Sequence, residues 1–206
     1  DNRVYRPYHL KHHRFTETED DPDLALSAPF PITKVSFFRK VLRDLTGITG
    51  FRRYSQALIS ILKTDGDNLP DRLKGIWFKI HGFLITNILI FLAISFFFHW
   101  SLYFLLWWLP AFTYYSLIIR IRNIAEHCVT SGSTDLDNTR TTLTNPIVRF
   151  LMAPHRVNYH LEHHLFMMCP WYNLPKAHKM MIKNGFKDKM CISNSYRSVL
   201  NKAVSA

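Results

Sequence analysis

Histidine occurs 11 times in this 206-residue sequence, and six of the 11 fall in two copies of one spacing, His-x-x-His-His. The first copy is His9, His12 and His13 (HLKHH), and the second is His160, His163 and His164 (HLEHH). On an α-helix, which turns about 100° per residue, positions i, i+3 and i+4 share one face. Each copy can therefore aim three imidazoles at one place. A shorter motif, NIAEH, sets Asn123 and His127 four residues apart, again on one helical face. Seven imidazoles exceed the four ligands of a closed zinc site, so two metal ions are the economical reading. Imidazole suits zinc, copper, iron and nickel alike, which leaves the metal open at this point. Metal-bound histidine needs a partner for its second ring nitrogen. Glu126 and Glu162 inside the motifs are candidates for that role, as are Asp21, Asp23, Asp137, Arg140, His155 and Asn158 outside them. His81, His99 and His178 stand alone and read as surface or ordinary core residues; Cys128, beside His127, reads as small packing.

The elements that must position these groups surround an apolar middle. Gly82 to Phe98 and Ser101 to Ile119 contain no charged residue, and each approaches the ~17–25 residues a helix needs to cross a bilayer. Only His99 and Trp100 separate them, so the pair reads as a tight transmembrane hairpin. Arg72, Lys74 and Lys79 precede it, Arg120 and Arg122 follow it, and the turn has no Lys or Arg. Positive charge at both outer ends assigns those ends to the cytoplasm. Trp77, Trp107, Trp108, Tyr114 and Tyr115 are candidate interfacial anchors. Upstream, Phe37, Phe38, Val41, Leu42 and Leu45 oppose Arg39, Lys40 and Arg43. Phe51, Tyr54, Leu58, Ile59 and Leu62 then accompany Arg52, Arg53 and Lys63, with Gly47 and Gly50 as the break between the two patterns. Both read as amphipathic helices in the headgroup layer. A Ser/Thr/Asp/Asn loop is expected from Thr130 to Thr144. The expected fold class is all-α integral membrane: a transmembrane helical hairpin with cytosolic or interfacial helices carrying the histidine clusters. Residues 1–81 form the cytosolic or interfacial region, 82–119 the hairpin and 120–206 the cytosolic metal-binding region.

The formal net charge of +11 suits nucleic acid, an anionic membrane surface or an acidic partner protein. Beside an apolar middle of this length, the expected partner is the membrane and not nucleic acid. A mean hydropathy near zero averages that middle against polar flanks. The 3 cysteines, an odd number without paired spacing, argue against a disulfide framework and fit a reducing compartment. The sequence opens on Asp1, and its dense chemistry begins by His9, so further chain is expected upstream.

These motifs resemble the membrane fatty-acid desaturase family. The likeness runs through HLKHHRFT and DDPD, the two apolar runs, RNIAEH, NTRTT, PHRVNYHLEHHLF and YNLPKAH. It implies a non-haem centre of two iron ions, with His9, His12, His13, His127, His160, His163 and His164 as ligands and Asn123 reaching one metal through water. It also implies a lipid or fatty-acyl substrate, dioxygen, and electrons from a donor such as ferredoxin or cytochrome b5. The product would be a carbon–carbon double bond, made by an integral membrane enzyme with its active site on the cytoplasmic side. A further box of two histidines and two more transmembrane helices belong to the family pattern and do not occur here; both are expected upstream of Asp1. A hydroxylase, ketolase or epoxygenase of the same superfamily would share these motifs. A membrane zinc hydrolase and a non-enzymatic metal-binding protein are the readings from other classes.

Overall fold

The longest helix begins directly after Asn68, and the reason is local: the Asn68 side chain accepts from the Asp71 amide at 3.0 Å, and Pro70 and Asp71 occupy the first turn. The structure is a computed structural model and describes residues 2–24, 29–132 and 134–204. It is mostly helical. In chain order the helices are α1 (Asn2–Phe15), α2 (Lys34–Leu45), α3 (Ile48–Leu62), α4 (Leu69–Phe97) and α5 (Ser101–His127). The shorter α6 (Pro146–Met152), α7 (His160–Leu165), α8 (Leu174–Lys183) and α9 (Tyr196–Ala203) follow. One departure from an all-helical chain is a parallel pair of two-residue strands, β1 (Thr141–Thr142) and β2 (Ile192–Ser193).

The contacts divide the chain into two units. The first contains Arg39–Leu117 and the start of α1 up to Leu10. Its helix α4 is long and apolar enough to cross a membrane, and α5, which begins in this unit, passes the same test. The second apolar run thus lies within α5, and the first within α4 except for Phe98, its C-cap. No residue of α4 is buried, and Phe96 is 82% exposed. The apolar stretch of α4 thus carries no protein cover, in keeping with a helix long and apolar enough to cross a membrane. Asn87, within the apolar stretch of α4, is held from α5: Tyr103 and Trp107 donate to its Oδ1 at 2.8 and 3.1 Å, which joins α4 to the beginning of α5. The first turns of α5 open into a π-helical stretch at Phe104–Trp108. Pro110 follows after Leu109; its ring cannot accommodate the carbonyl four residues back, and a widened turn relieves that clash.

The two glycines expected to separate the amphipathic helices have different tasks. Gly47 makes the turn, with φ at 81°. Gly50 lies inside α3, where a Cβ would collide with the Phe112 backbone.

The second unit contains Lys11–Phe38 and the chain from Ile118 onward. Ile124 and Cys128 at the end of α5 pack against Val199 and Ala203 of α9, with Phe30 and Phe37 alongside. Leu161 of α7 packs with Met181 of α8 and Met190. The expected polar loop between Thr130 and Thr144 is a surface feature only in its first half, since Thr139, Arg140, Thr141 and Thr142 are buried. Two of these side chains, Arg140 and Thr142, reach backbone carbonyls at the end of α5. Arg140 donates to the carbonyls of Ala125 and Val129 at 3.2 and 2.7 Å, closing the C-terminal end of α5.

Candidate metal centre

Within the second unit, the imidazoles of His12, His127, His160 and His164 bring one ligand atom each to within 4.8 Å of all the others. They come from three elements: α1, the last residue of α5, and α7. His160 Nε2 lies 2.8 Å from His127 Nε2 and 3.0 Å from His164 Nε2. A second contact adjoins these, His13 Nε2 to His163 Nε2 at 3.0 Å. The His13 ring stacks on His164 with centroids 4.1 Å apart, so the two groups share a wall.

The outer ring nitrogens are held by a different set of residues. His12 Nδ1 donates to Asp21 Oδ1 at 2.8 Å, in a buried contact. Asp21 in turn accepts from the amides of Glu17 and Asp23, which folds the segment after α1 back over it. With its Nδ1 proton committed, His12 presents the lone pair of Nε2 to the cluster. Thr16 fixes His164 by the same logic. Its single hydroxyl proton goes to the His12 carbonyl at 2.8 Å. The oxygen must then accept from His164 Nδ1 at 3.2 Å, leaving His164 Nε2 bare. Carboxylates stand outside the remaining two: Glu17 is 3.7 Å from His127 Nδ1, and Glu126 is 3.8 Å from His160 Nδ1. This inside–outside division is how proteins orient metal-binding imidazoles.

A donor set of this kind fits a cation. A neutral imidazole carries one N–H, so His160 Nε2 can donate to only one of the two Nε2 atoms it faces, and one close contact sets lone pair against lone pair. Protonation is a poor remedy. Burial, reinforced by the neighbouring imidazoles, holds His160 and His164 well below the ordinary histidine range. A shared cation would resolve the conflict, because imidazole lone pairs facing one another are the donors such an ion binds. Asn123, one turn before His127, adds a buried Oδ1 with no partner among the described residues.

The sequence pattern that describes fatty acid desaturases matches residues 3–189. The chain belongs to the fatty acid desaturase family. No curated protein and no solved structure matches it. Desaturase-family proteins are membrane-associated and generally metal-dependent oxidoreductases that act on lipid with an electron donor. In this desaturase-family chain the matched span takes in all seven motif histidines. His9 lies on α1 one turn before His13, its ring stacked on Tyr5.

Of the candidate orienting residues, Asp21 touches His12, while Asp23 and Glu126 stand 3.7 and 3.8 Å from imidazole nitrogens. Glu126 also takes a salt bridge from Arg122 at 3.1 Å. The others act on backbone or elsewhere. Asn158 donates to the Thr142 carbonyl, Asp137 accepts within the Thr134 turn, and His155 is exposed against Trp171. Sequence reasoning passed over Thr16, Glu17 and His178. Thr16 and Glu17 follow the first cluster directly, a proximity that could have marked them. His178 carried no signal in spacing; read as a surface or ordinary core residue, it is partly buried, with its Nδ1 2.6 Å from Glu162.

Proposed function

We propose that this chain is the metal-binding part of a lipid desaturase, with a centre of two iron ions held by His9, His12, His13, His127, His160, His163 and His164. The observation that carries the reading is the convergence of imidazoles from α1, α5 and α7, each with Nε2 turned inward or its outer nitrogen near a polar partner. His12, His127, His160 and His164 would hold one ion. His13 and His163 would serve the second, joined by His9 from one turn earlier on α1. Asn123 would reach the first ion through water. Bound iron supplies dioxygen activation, which side-chain acids and bases cannot provide for an unactivated C–H bond.

The chain's own residues then have defined tasks. Asp21, Thr16, Glu17 and Glu126 face the outer Nδ1 atoms, fixing tautomer and ring orientation so that Nε2 points inward for ligation. Residues 82–119 form a transmembrane hairpin whose outer ends are cytoplasmic, and 1–81 and 120–206 lie on that side. The substrate is a fatty-acyl lipid already resident in the bilayer. Two hydrogens leave adjacent carbons and a double bond forms; dioxygen takes these, two external protons and two external electrons, giving two waters. The electrons come from an electron-transfer protein such as ferredoxin or cytochrome b5, and the basic surface suits an acidic donor.

The test is His163→Ala in the intact membrane-inserted protein. It should lower iron below the wild-type stoichiometry and abolish desaturation by product analysis, with insertion unchanged. Full turnover and full iron in that variant would refute the ligand assignment. A hydroxylated product from the wild type would move the chain to the oxygen-inserting branch of the family.

A further inference from the structure

Glu162 lies between two motif histidines, yet its carboxylate touches neither. It is fully buried, and each of its oxygens has one donor: Thr141 Oγ1 at 2.5 Å and His178 Nδ1 at 2.6 Å. Thr141 belongs to β1 and His178 to α8, so one carboxylate ties α7 to two other elements. Helix α7 has only six residues and no side-chain cap at its N-terminus. So short a helix has little internal means of fixing its rotation.

The geometry of that rotation matters. Glu162 is two residues beyond His160, which places it about 200° round the helix, opposite the face shared by His160 and His164. A metal centre draws one face of α7 inward while Glu162 anchors the opposite face. Leu161, buried against Met181 of α8, adds contact but no angular preference, because apolar packing is non-directional. A charge-assisted hydrogen bond at 2.6 Å sets an angle. The carboxylate itself needs the partner, since a buried acid without donors is strongly unfavourable.

We infer that His178, through Glu162, is a positioning residue for the metal centre, setting the rotation of α7 so that His160 and His164 meet His12 and His127. This rests on the metal-centre reading above, and its test separates the two. The full protein in detergent is stripped of metal and titrated anaerobically with cobalt(II), whose visible ligand-field bands report coordination. His178→Ala should bind cobalt about 10–100-fold more weakly, the usual effect of removing a residue that orients a ligand, with an altered band pattern. His178→Asn, whose amide N–H₂ falls near the position of Nδ1, should restore affinity and spectrum. Wild-type affinity and bands in His178→Ala overturn the inference and leave the metal centre standing. So does a folded His178→Asn as impaired as the alanine variant. If His178→Ala does not fold, His178→Asn decides alone. A wild-type protein that takes up neither cobalt nor iron overturns the metal-centre reading, and the role of His178 with it.

Discussion

A histidine ligates with one nitrogen and is steered by the other, and at this site the steering groups can be named one by one. Asp21 has the clearest case: a buried carboxylate receiving His12 Nδ1–H and two backbone amides. Asp21→Asn keeps an acceptor oxygen but removes the charge and adds an N–H₂ that competes with the ring proton. Metal affinity should fall by about 10–100-fold, measured by metal titration of the purified protein. Equal affinity in the variant would mean that His12 is oriented by packing alone. Asp21 was readable as a candidate because an acidic run follows the first triplet within a few residues. Thr16 was not, because a threonine acquires meaning only when its one proton is seen committed to the His12 carbonyl.

Helix boundaries and spacing were largely legible, since they follow from periodicity and caps that act over a few residues. The two amphipathic patterns between Ser36 and Lys63 correspond to α2 and α3, and the two apolar runs to α4 and α5. The meaning of Gly50 was not legible. As a sequence feature it resembles Gly47, but its φ is helical in kind, and its lack of a side chain serves the approach of Phe112. Gly50→Ala should therefore destabilise the protein, although alanine is the better helix former by about 1 kcal/mol. Overpacking against backbone costs about 1–3 kcal/mol, which outweighs that gain. A thermal melt of the detergent-solubilised protein should show a lower Tm; an unchanged or higher Tm would show that α3 can shift to make room. The buried half of the Thr130–Thr144 segment escaped the sequence for a related reason. Arg140, Thr141 and Thr142 are polar by type, and only their partners, carbonyls at the end of α5 and the Glu162 carboxylate, explain why they lie inside.

At the scale of the whole molecule, the centre links stability to pH. The folded protein holds His160 and His164 below the ordinary value of 6.5, chiefly through burial. Once unfolded, both titrate near that value. As pH falls through about 6.5 the unfolded chain takes up protons that the folded site refuses, and stability falls, by about 1.4 kcal/mol per pH unit for each histidine. Above pH 7 both states are neutral and this contribution is flat. The Tm of metal-free protein should therefore drop between pH 7.5 and 5.5 by more than that of a His160→Gln/His164→Gln variant. Parallel Tm curves for the two proteins would show that the imidazoles protonate freely in the folded state. Metal retention should fall over the same interval, since ligation requires neutral imidazole.

The sequence by itself determined the chemistry available and the helices that carry it. Both are local properties, written in residue type and in spacings of three and four. Family membership follows from the same order of residues along the chain. Tertiary structure alone decided which nitrogen of each imidazole faces inward and that His178 supports α7 through Glu162. Those are contacts between residues distant in sequence, and no periodicity encodes a hydrogen bond whose partners meet only when the chain has folded.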